Sequence, residues 1–241
     1  MILFFRAIIV LCYFFLAALL GILLCLFRPF NPDNTRICGR LFSVGGLKLL
    51  GIKMTVEGRE HLDNMPASIV IANHQDNLDL FVHGGVIPKR TVSIGKKSLK
   101  YLPLFGQVYW LAGNIMIDRK KSQASINTLS QTTEALKHKQ TSIWVFPEGT
   151  RNKGHNLLPF KKGAFHMAKQ ADAPILPICA SAYPQHVNLN KWHAGEVKVR
   201  ILAPVETQHV SAEDMPALSE QIHKNMLSTI ETLNNSISST H

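Results

Sequence analysis

The chain has 241 residues, 46% of them hydrophobic and only 17% charged, so it can bury a full core and is not a disordered polymer. Its 26 Lys and Arg against 16 Asp and Glu leave a net charge of +10, which points to an anionic partner: nucleic acid, phospholipid headgroups, a phosphorylated substrate or an acidic protein. Four cysteines, at 12, 25, 38 and 179, form no C-x-x-C pair, which disfavours a zinc knuckle, a redox motif and a dense disulfide framework.

Residues 7–27 are 21 consecutive positions without a charge, bracketed by Arg6 and Arg28. As a helix the run is about 30 Å long, enough for the hydrocarbon core of a bilayer. It exceeds the apolar region of a signal peptide and lacks a convincing A-x-A cleavage site, so it is read as a retained membrane segment. After a turn from Pro29 to Pro32, Ile37, Leu41, Val44 and Leu47 recur at helical spacing, with Arg36, Arg40 and Lys48 on other faces. Such a basic amphipathic helix can lie along anionic headgroups or pack on the body, and the two are compatible. Arg28, Arg36, Arg40 and Lys48 outweigh the positive charge before the apolar run, which places the body on the cytoplasmic side. Residues 1–50 are thus expected to form a membrane-associating helical segment and 51–241 one domain.

From residue 52 onward, short β-type runs alternate with helical periodicity. The strands predicted are 52–57, 68–72, 91–95, 115–117, 142–146, 175–179 and 197–202. The helices are 78–87, 98–111, 122–139, 163–171 and 213–234, the last with Leu218, Ile222, Met226, Ile230 and Leu233 on one stripe. Strands separated by helices predict a layered α/β domain with a largely parallel or mixed sheet.

No G-x-x-x-x-G-K-[ST], G-x-G-x-x-G or G-x-S-x-G is present, so a P-loop, a dinucleotide fold and a serine hydrolase are unsupported. Cys179 lies in an apolar strand and reads as core. The informative segment is IVIANHQDNLD, residues 69–79, where an apolar strand delivers His74 with Asp79 five positions later. In one helix that spacing turns about 500° and separates the pair, so they meet only with His74 in the loop and Asp79 opening the next helix. A carboxylate on imidazole Nδ1 would leave Nε2 free as a base toward a hydroxyl. Taken alone, such a pair is more often a surface histidine and a capping aspartate.

A second strand runs into a polar turn at SIWVFPEGTRNKG, residues 142–154. Pro147 stops the ladder, Gly149 permits an unusual backbone angle, and Glu148 with Arg151 supplies paired charge. Ligand sites in α/β sheets gather outside the carboxyl ends of strands, which puts Arg151 on the same rim as His74. A guanidinium there suits a phosphate bidentately; the bland reading is a local ion pair. A third strand ends in Asp118 and Arg119. Between 87 and 121 the chain carries Lys89, Arg90, Lys96, Lys97, Lys100, Arg119, Lys120 and Lys121 against the single acid Asp118.

Four blocks, NHQDNLD at 73–79, GNIMIDR at 113–119, FPEGTR at 146–151 and PILPI at 174–178, resemble in order those of the glycerolipid acyltransferase family. GKKSL at 95–99 and LPFKKGAF at 158–165 resemble its bacterial members that acylate lysophosphatidate. Met116 departs from the Phe frequent in the second block, a difference of packing. The resemblance implies transfer of a fatty acyl group from acyl carrier protein or acyl-CoA to the sn-2 hydroxyl of 1-acylglycerol-3-phosphate, giving phosphatidic acid at a bacterial inner membrane. Glycerol-3-phosphate or another lysophospholipid is the alternative acceptor. His74 would be the base and Asp79 its orienter, with Arg119 and Arg151 on the phosphate. The substrate-contacting set it implies is Asn73, Lys96, Asn114, Asp118, Arg119, Glu148, Gly149, Thr150 and Arg151, with Asn73 also fixing the loop. No metal or redox cofactor and no nucleic acid is implied. A metal hydrolase built on His74, Asp79 and His83 lacks a second ligand cluster in the sequence, and a basic binding module would leave His74 and Asp79 idle.

Overall fold

The computed structural model describes residues 2–63, 65–117, 130 and 132–238. Asp118 and Arg119 lie outside the described residues, as does most of the helix predicted over 122–139; within that span 132–137 are helical. Seven strands, β1 (Ile52–Glu57), β2 (Ile69–Ala72), β3 (Thr91–Lys96), β4 (Ile115–Ile117), β5 (Ser142–Val145), β6 (Ile175–Ala180) and β7 (Gly195–Ile201), form one sheet in the order β1-β7-β6-β2-β5-β3-β4. The five strands from β6 to β4 run parallel, whereas β7 pairs antiparallel with β6 and parallel with β1. The sheet is therefore mixed, as the alternation of strands and helices predicts.

Both faces are covered. Val70 and Ala72 of β2 join Trp144, Leu176 and Ile178 in a core beneath α1 (Ile2–Phe27), α2 (Asn34–Leu50), α3 (Asp79–Gly84) and α4 (Phe105–Leu111). Ile69 and Ile71 point the other way, toward α5 (Gly163–Ala171) and, beyond the short α6 (Tyr183–His186), the long α7 (Met215–Ser238). This is the alternation a strand requires, and it explains why β2 and β6 read as unbroken apolar runs. The α7 stripe of Ile222, Met226, Ile230 and Leu233 is buried as its spacing predicts.

Two predicted elements differ. The 98–111 helix is divided into a 3-10 turn at Lys97–Tyr101 and α4, because Pro103 and Leu104, the latter at φ 59°, interrupt it. On α2, Val44 is 71% exposed; the buried face runs through Cys38, Phe42, Gly46 and Leu47. Gly39 faces Gly84 of α3 so closely that a Cβ on Gly84 would stand 2.4 Å from the Gly39 carbonyl oxygen, which lets the two backbones touch.

α1 does not stand apart from this body. Ala17, Ala18, Gly21 and Cys25 are buried, the Cys25 and Cys38 sulfurs lie 4.0 Å apart, and Phe14 meets Phe42 and Phe105. Arg6 is no solvated flank of an apolar run. It is 6% exposed and donates to the carbonyls of Leu189, Lys191 and Trp192 at 2.5, 2.7 and 2.9 Å. The opposite side of α1 presents Phe4, Ile8, Leu11, Leu16, Leu23 and Phe27 outward.

Candidate active site

The central strands β6, β2 and β5 end side by side, and the first and third sequence blocks leave from those ends. The loops are joined by backbone: Asn152 N–H donates to the His74 carbonyl at 2.7 Å and Lys153 N–H to that of Gln75 at 3.0 Å. His74 and Arg151 thus share one rim.

His74 sits in the loop after β2, and Asp79 opens α3. Nδ1 of His74 donates to Oδ2 of Asp79, which also accepts the Gln75 N–H at 3.0 Å. Asp79 is 6% exposed, while the His74 side chain keeps 22% of its surface open. Because the carboxylate can only accept, the proton of neutral His74 resides on Nδ1 and the Nε2 lone pair is free. One face of the ring stacks on Phe146, centroids 4.1 Å apart and planes within 11°. The five-residue spacing signals this pairing; nothing in the sequence signals the Phe146 floor.

Asp76, inside the same turn, accepts the Leu78 N–H at 2.6 Å. Burial raises its carboxyl above the ordinary range, and the Asp79 charge adds to that, while the Leu78 N–H, Arg151 and His74 oppose it.

Glu148 differs from the sequence expectation. It is 1% exposed and makes no ion pair with Arg151. Oε1 accepts the His74 N–H at 2.6 Å, Oε2 accepts the Leu158 N–H at 2.9 Å, and Asn152 Nδ2 donates to both oxygens at 3.3 and 3.0 Å. Burial raises this carboxyl too, against the lowering effect of those donors. Both oxygens accept hydrogen bonds within the protein, and through them Glu148 holds the loop carrying His74.

Two further residues of the expected substrate set also bond within the fold. The Asn73 amide donates to the Ala180 carbonyl at 2.9 Å and accepts the Ala180 N–H at 2.8 Å, so it fixes the loop as expected but does so with its whole side chain. Asn114, level with Ser93, accepts from Thr35 Oγ1 at 2.9 Å and the Ser93 N–H at 2.7 Å and donates to the Tyr109 carbonyl at 3.0 Å. It ties α2 and α4 to β3.

What remains open on the rim is cationic. Arg151 and Lys96 are exposed, Lys96 closing β3 level with Ile117 of β4, and Thr150 is exposed next to Arg151. Gly149, at φ 72°, makes the turn; a Cβ there would meet Cγ of Lys161 at 3.3 Å. Lys161 and Lys162 are exposed as well. His83, which the sequence groups with the pair only in the metal-hydrolase alternative, is their neighbour: its Nε2 lies 3.0 Å from the Asn73 carbonyl oxygen and 3.8 Å from Oδ1 of Asp79.

An imidazole with a free Nε2 lone pair, a buried carboxylate on its Nδ1 and exposed cations on the same rim can deprotonate a hydroxyl, and known proteins are similar in sequence. The Acyltransferase family profile matches residues 53–181. A 1-acyl-sn-glycerol-3-phosphate acyltransferase of Escherichia coli is 38% identical over 234 residues, 97% of this chain and 95% of the relative. A human 1-acyl-sn-glycerol-3-phosphate acyltransferase alpha is 38% identical over 218 residues, 90% and 77% of the two chains. Among solved structures, the 1-acyl-sn-glycerophosphate (LPA) acyltransferase PlsC of Thermotoga maritima superposes with a TM-score of 0.69 at 23% identity, covering 94% of this chain and 97% of its own. The fold, the His74–Asp79 pair and the matched length converge, and the chain belongs to the acyltransferase family.

Proposed function

We propose that this protein transfers a fatty acyl group from an acyl thioester to the sn-2 hydroxyl of 1-acyl-sn-glycerol-3-phosphate, giving phosphatidic acid. The observation that carries it is the free Nε2 of His74, backed on Nδ1 by buried Asp79, on the rim where Arg151 and Lys96 are exposed. His74 Nε2 takes the proton of the acceptor hydroxyl as its oxygen attacks the thioester carbonyl, and Asp79 stabilises the imidazolium that forms. The tetrahedral intermediate collapses with cleavage of the carbon–sulfur bond. The departing thiolate takes the proton from His74, which restores the base. The Arg151 guanidinium, set where the third block leaves the sheet, meets two phosphate oxygens of the acceptor, with Lys96 adding positive potential. Thiol carriers of either kind, acyl carrier protein or acyl-CoA, satisfy this chemistry, and no resident metal or redox group is required.

The site works at a membrane surface in this reading. α1 is long and apolar enough to cross a bilayer, but its packing along α2 and α4 makes insertion of its outer face into one leaflet the arrangement that keeps the body intact. Exposed Trp110, Tyr101 and Trp192 suit the headgroup level. Detergent-purified protein given acyl-CoA and lysophosphatidate is expected to form phosphatidic acid, and His74→Ala to abolish it. Acylation of glycerol-3-phosphate instead would move the acceptor to the alternative.

A further inference from the structure

The peptide unit joining Asn73 to His74 is gripped at both ends by buried titratable side chains. Its N–H, on His74, is held by Oε1 of Glu148 at 2.6 Å from the loop after β5. Its carbonyl, on Asn73, lies 3.0 Å from Nε2 of His83 on α3. A carbonyl only accepts, so His83 carries its proton on Nε2. That leaves Nδ1 as a bare lone pair in a residue 3% exposed, with no hydrogen-bond partner among the described residues. The ring is walled by Trp144 and Phe146, centroids 5.4 and 5.6 Å away. An apolar residue would fill this space without burying an unbonded lone pair, which is unfavourable. A histidine here is explained by the bond it donates.

We propose that His83 is a positioning residue for the His74–Asp79 pair. Together with Glu148 it fixes the plane of the peptide from which the His74 side chain departs, and so aims the imidazole at Asp79. The grip comes from two separate elements, α3 and the β5 loop, so neither alone determines the plane. His83 also closes a circuit. Asp79, which orients the His74 ring, lies four residues before His83 on the same short helix, and the Nε2–H end stands 3.8 Å from the less-bonded Asp79 oxygen. The inference rests on the acyl-transfer reading above, in which His74 is the base.

A matched pair of substitutions separates positioning from space-filling. His83→Gln and His83→Met have side chains of similar length, but only glutamine offers an N–H near the position of Nε2. In full-length protein in detergent micelles, the glutamine variant is expected to keep kcat within about threefold. The methionine variant is expected to lose about ten- to a hundredfold in kcat, the scale of a displacement near 1 Å, with KM for lysophosphatidate nearly unchanged. The low-field proton resonance of His74 Nδ1–H, identified by its absence from His74→Ala, is expected in wild type and glutamine but lost in methionine. Equal kcat for the two folded variants overturns the proposal. Nitrogen-15 imidazole shifts of the wild-type protein test it without any substitution at 83: a proton on His83 Nδ1, or a doubly protonated ring, overturns it as well. Failure of the underlying reading looks different, because a wild-type protein without acyl transfer, or an active His74→Ala, would remove the base itself.

Discussion

Asn73 and Ala180 exchange two hydrogen bonds, Nδ2 to the carbonyl at 2.9 Å and N–H to Oδ1 at 2.8 Å, so a side-chain amide continues the β2–β6 ladder one step past the last paired residue of β2. The next peptide can then leave the sheet toward solvent without stranding buried polar groups of β6. Asn73→Asp keeps size and loses the donor, setting a buried anion against a carbonyl. Thermal and denaturant unfolding are expected to show a loss of about 1–3 kcal/mol or more, with kcat falling alongside. Wild-type stability for this variant would mean the amide pair carries no weight.

His74→Ala is expected to lower kcat by about 10²–10⁴, the usual contribution of a general base. Asp79→Asn should be comparably severe, because the amide presents an N–H toward Nδ1 as readily as an oxygen and favours the wrong tautomer. Single-turnover assays with a saturating donor read both. A folded His74→Ala protein turning over near the wild-type rate rules the mechanism out.

Arg151 is the exposed guanidinium on the rim, and its loss should fall on the acceptor. Charge-assisted hydrogen bonds contribute about 1.5–3 kcal/mol each, so Arg151→Ala is expected to raise the KM for lysophosphatidate by about one to two decades and leave the donor KM nearly unchanged. Arg151→Lys keeps the charge but not the fork and should recover only part of the loss. Equal changes for donor and acceptor would place Arg151 in the scaffold of the third block.

Stability should fall on mild acidification for a reason local to His83. Burial depresses its imidazole below the ordinary 6.5, with Asp79 and the Asn73 carbonyl opposing. Just beneath pH 6.5 the unfolded chain therefore binds more protons than the folded one, and unfolding free energy declines as pH drops through that window. Asp76 and Glu148 act with the opposite sign: their carboxyls are raised from 3.8 and 4.5, so the folded state takes up protons more readily as pH falls through the window above those values. Comparing wild type with His83→Gln between pH 5 and 7 isolates the histidine. The variant should show the shallower decline, and identical slopes would refute the assignment.

Attachment to membranes should survive high salt and yield to detergent, since the outer face of α1 is apolar along its length. Removing residues 2–27 is expected to give aggregated rather than soluble protein, because it uncovers Phe42, Cys38 and Val108 on α2 and α4. Salt extraction of the full-length chain would instead make the attachment electrostatic.

The central strands and the His74–Asp79 pair are legible in the sequence because each leaves a local trace: β-branched runs ended by polar loops, and a spacing that only a loop-to-helix junction can satisfy. Glu148 is not legible, since its partners include a backbone N–H at residue 74, and the nearest charge in sequence, Arg151, suggests an ion pair that does not form. The packing of α1 escapes for another reason. A helix apolar on every side has no periodicity to mark the face that meets protein. The strand-tying bonds of Asn114 and Asn73 leave no trace in the sequence, because a polar side chain in a motif looks the same whatever it bonds.

Arg6 finds its three carbonyl acceptors at residues 189, 191 and 192, which sets an order of events during synthesis. At about 5–20 residues per second, the acceptors are made roughly ten to forty seconds after the arginine. Over that interval the helix exists without the loop whose carbonyls will accept its guanidinium, and for much of it without α4 to cover its inner face. Whatever shelters the nascent segment then, whether bilayer or chaperone, must release the inner face again when the last strands arrive. The arginine waits for a loop made nearly two hundred residues after it.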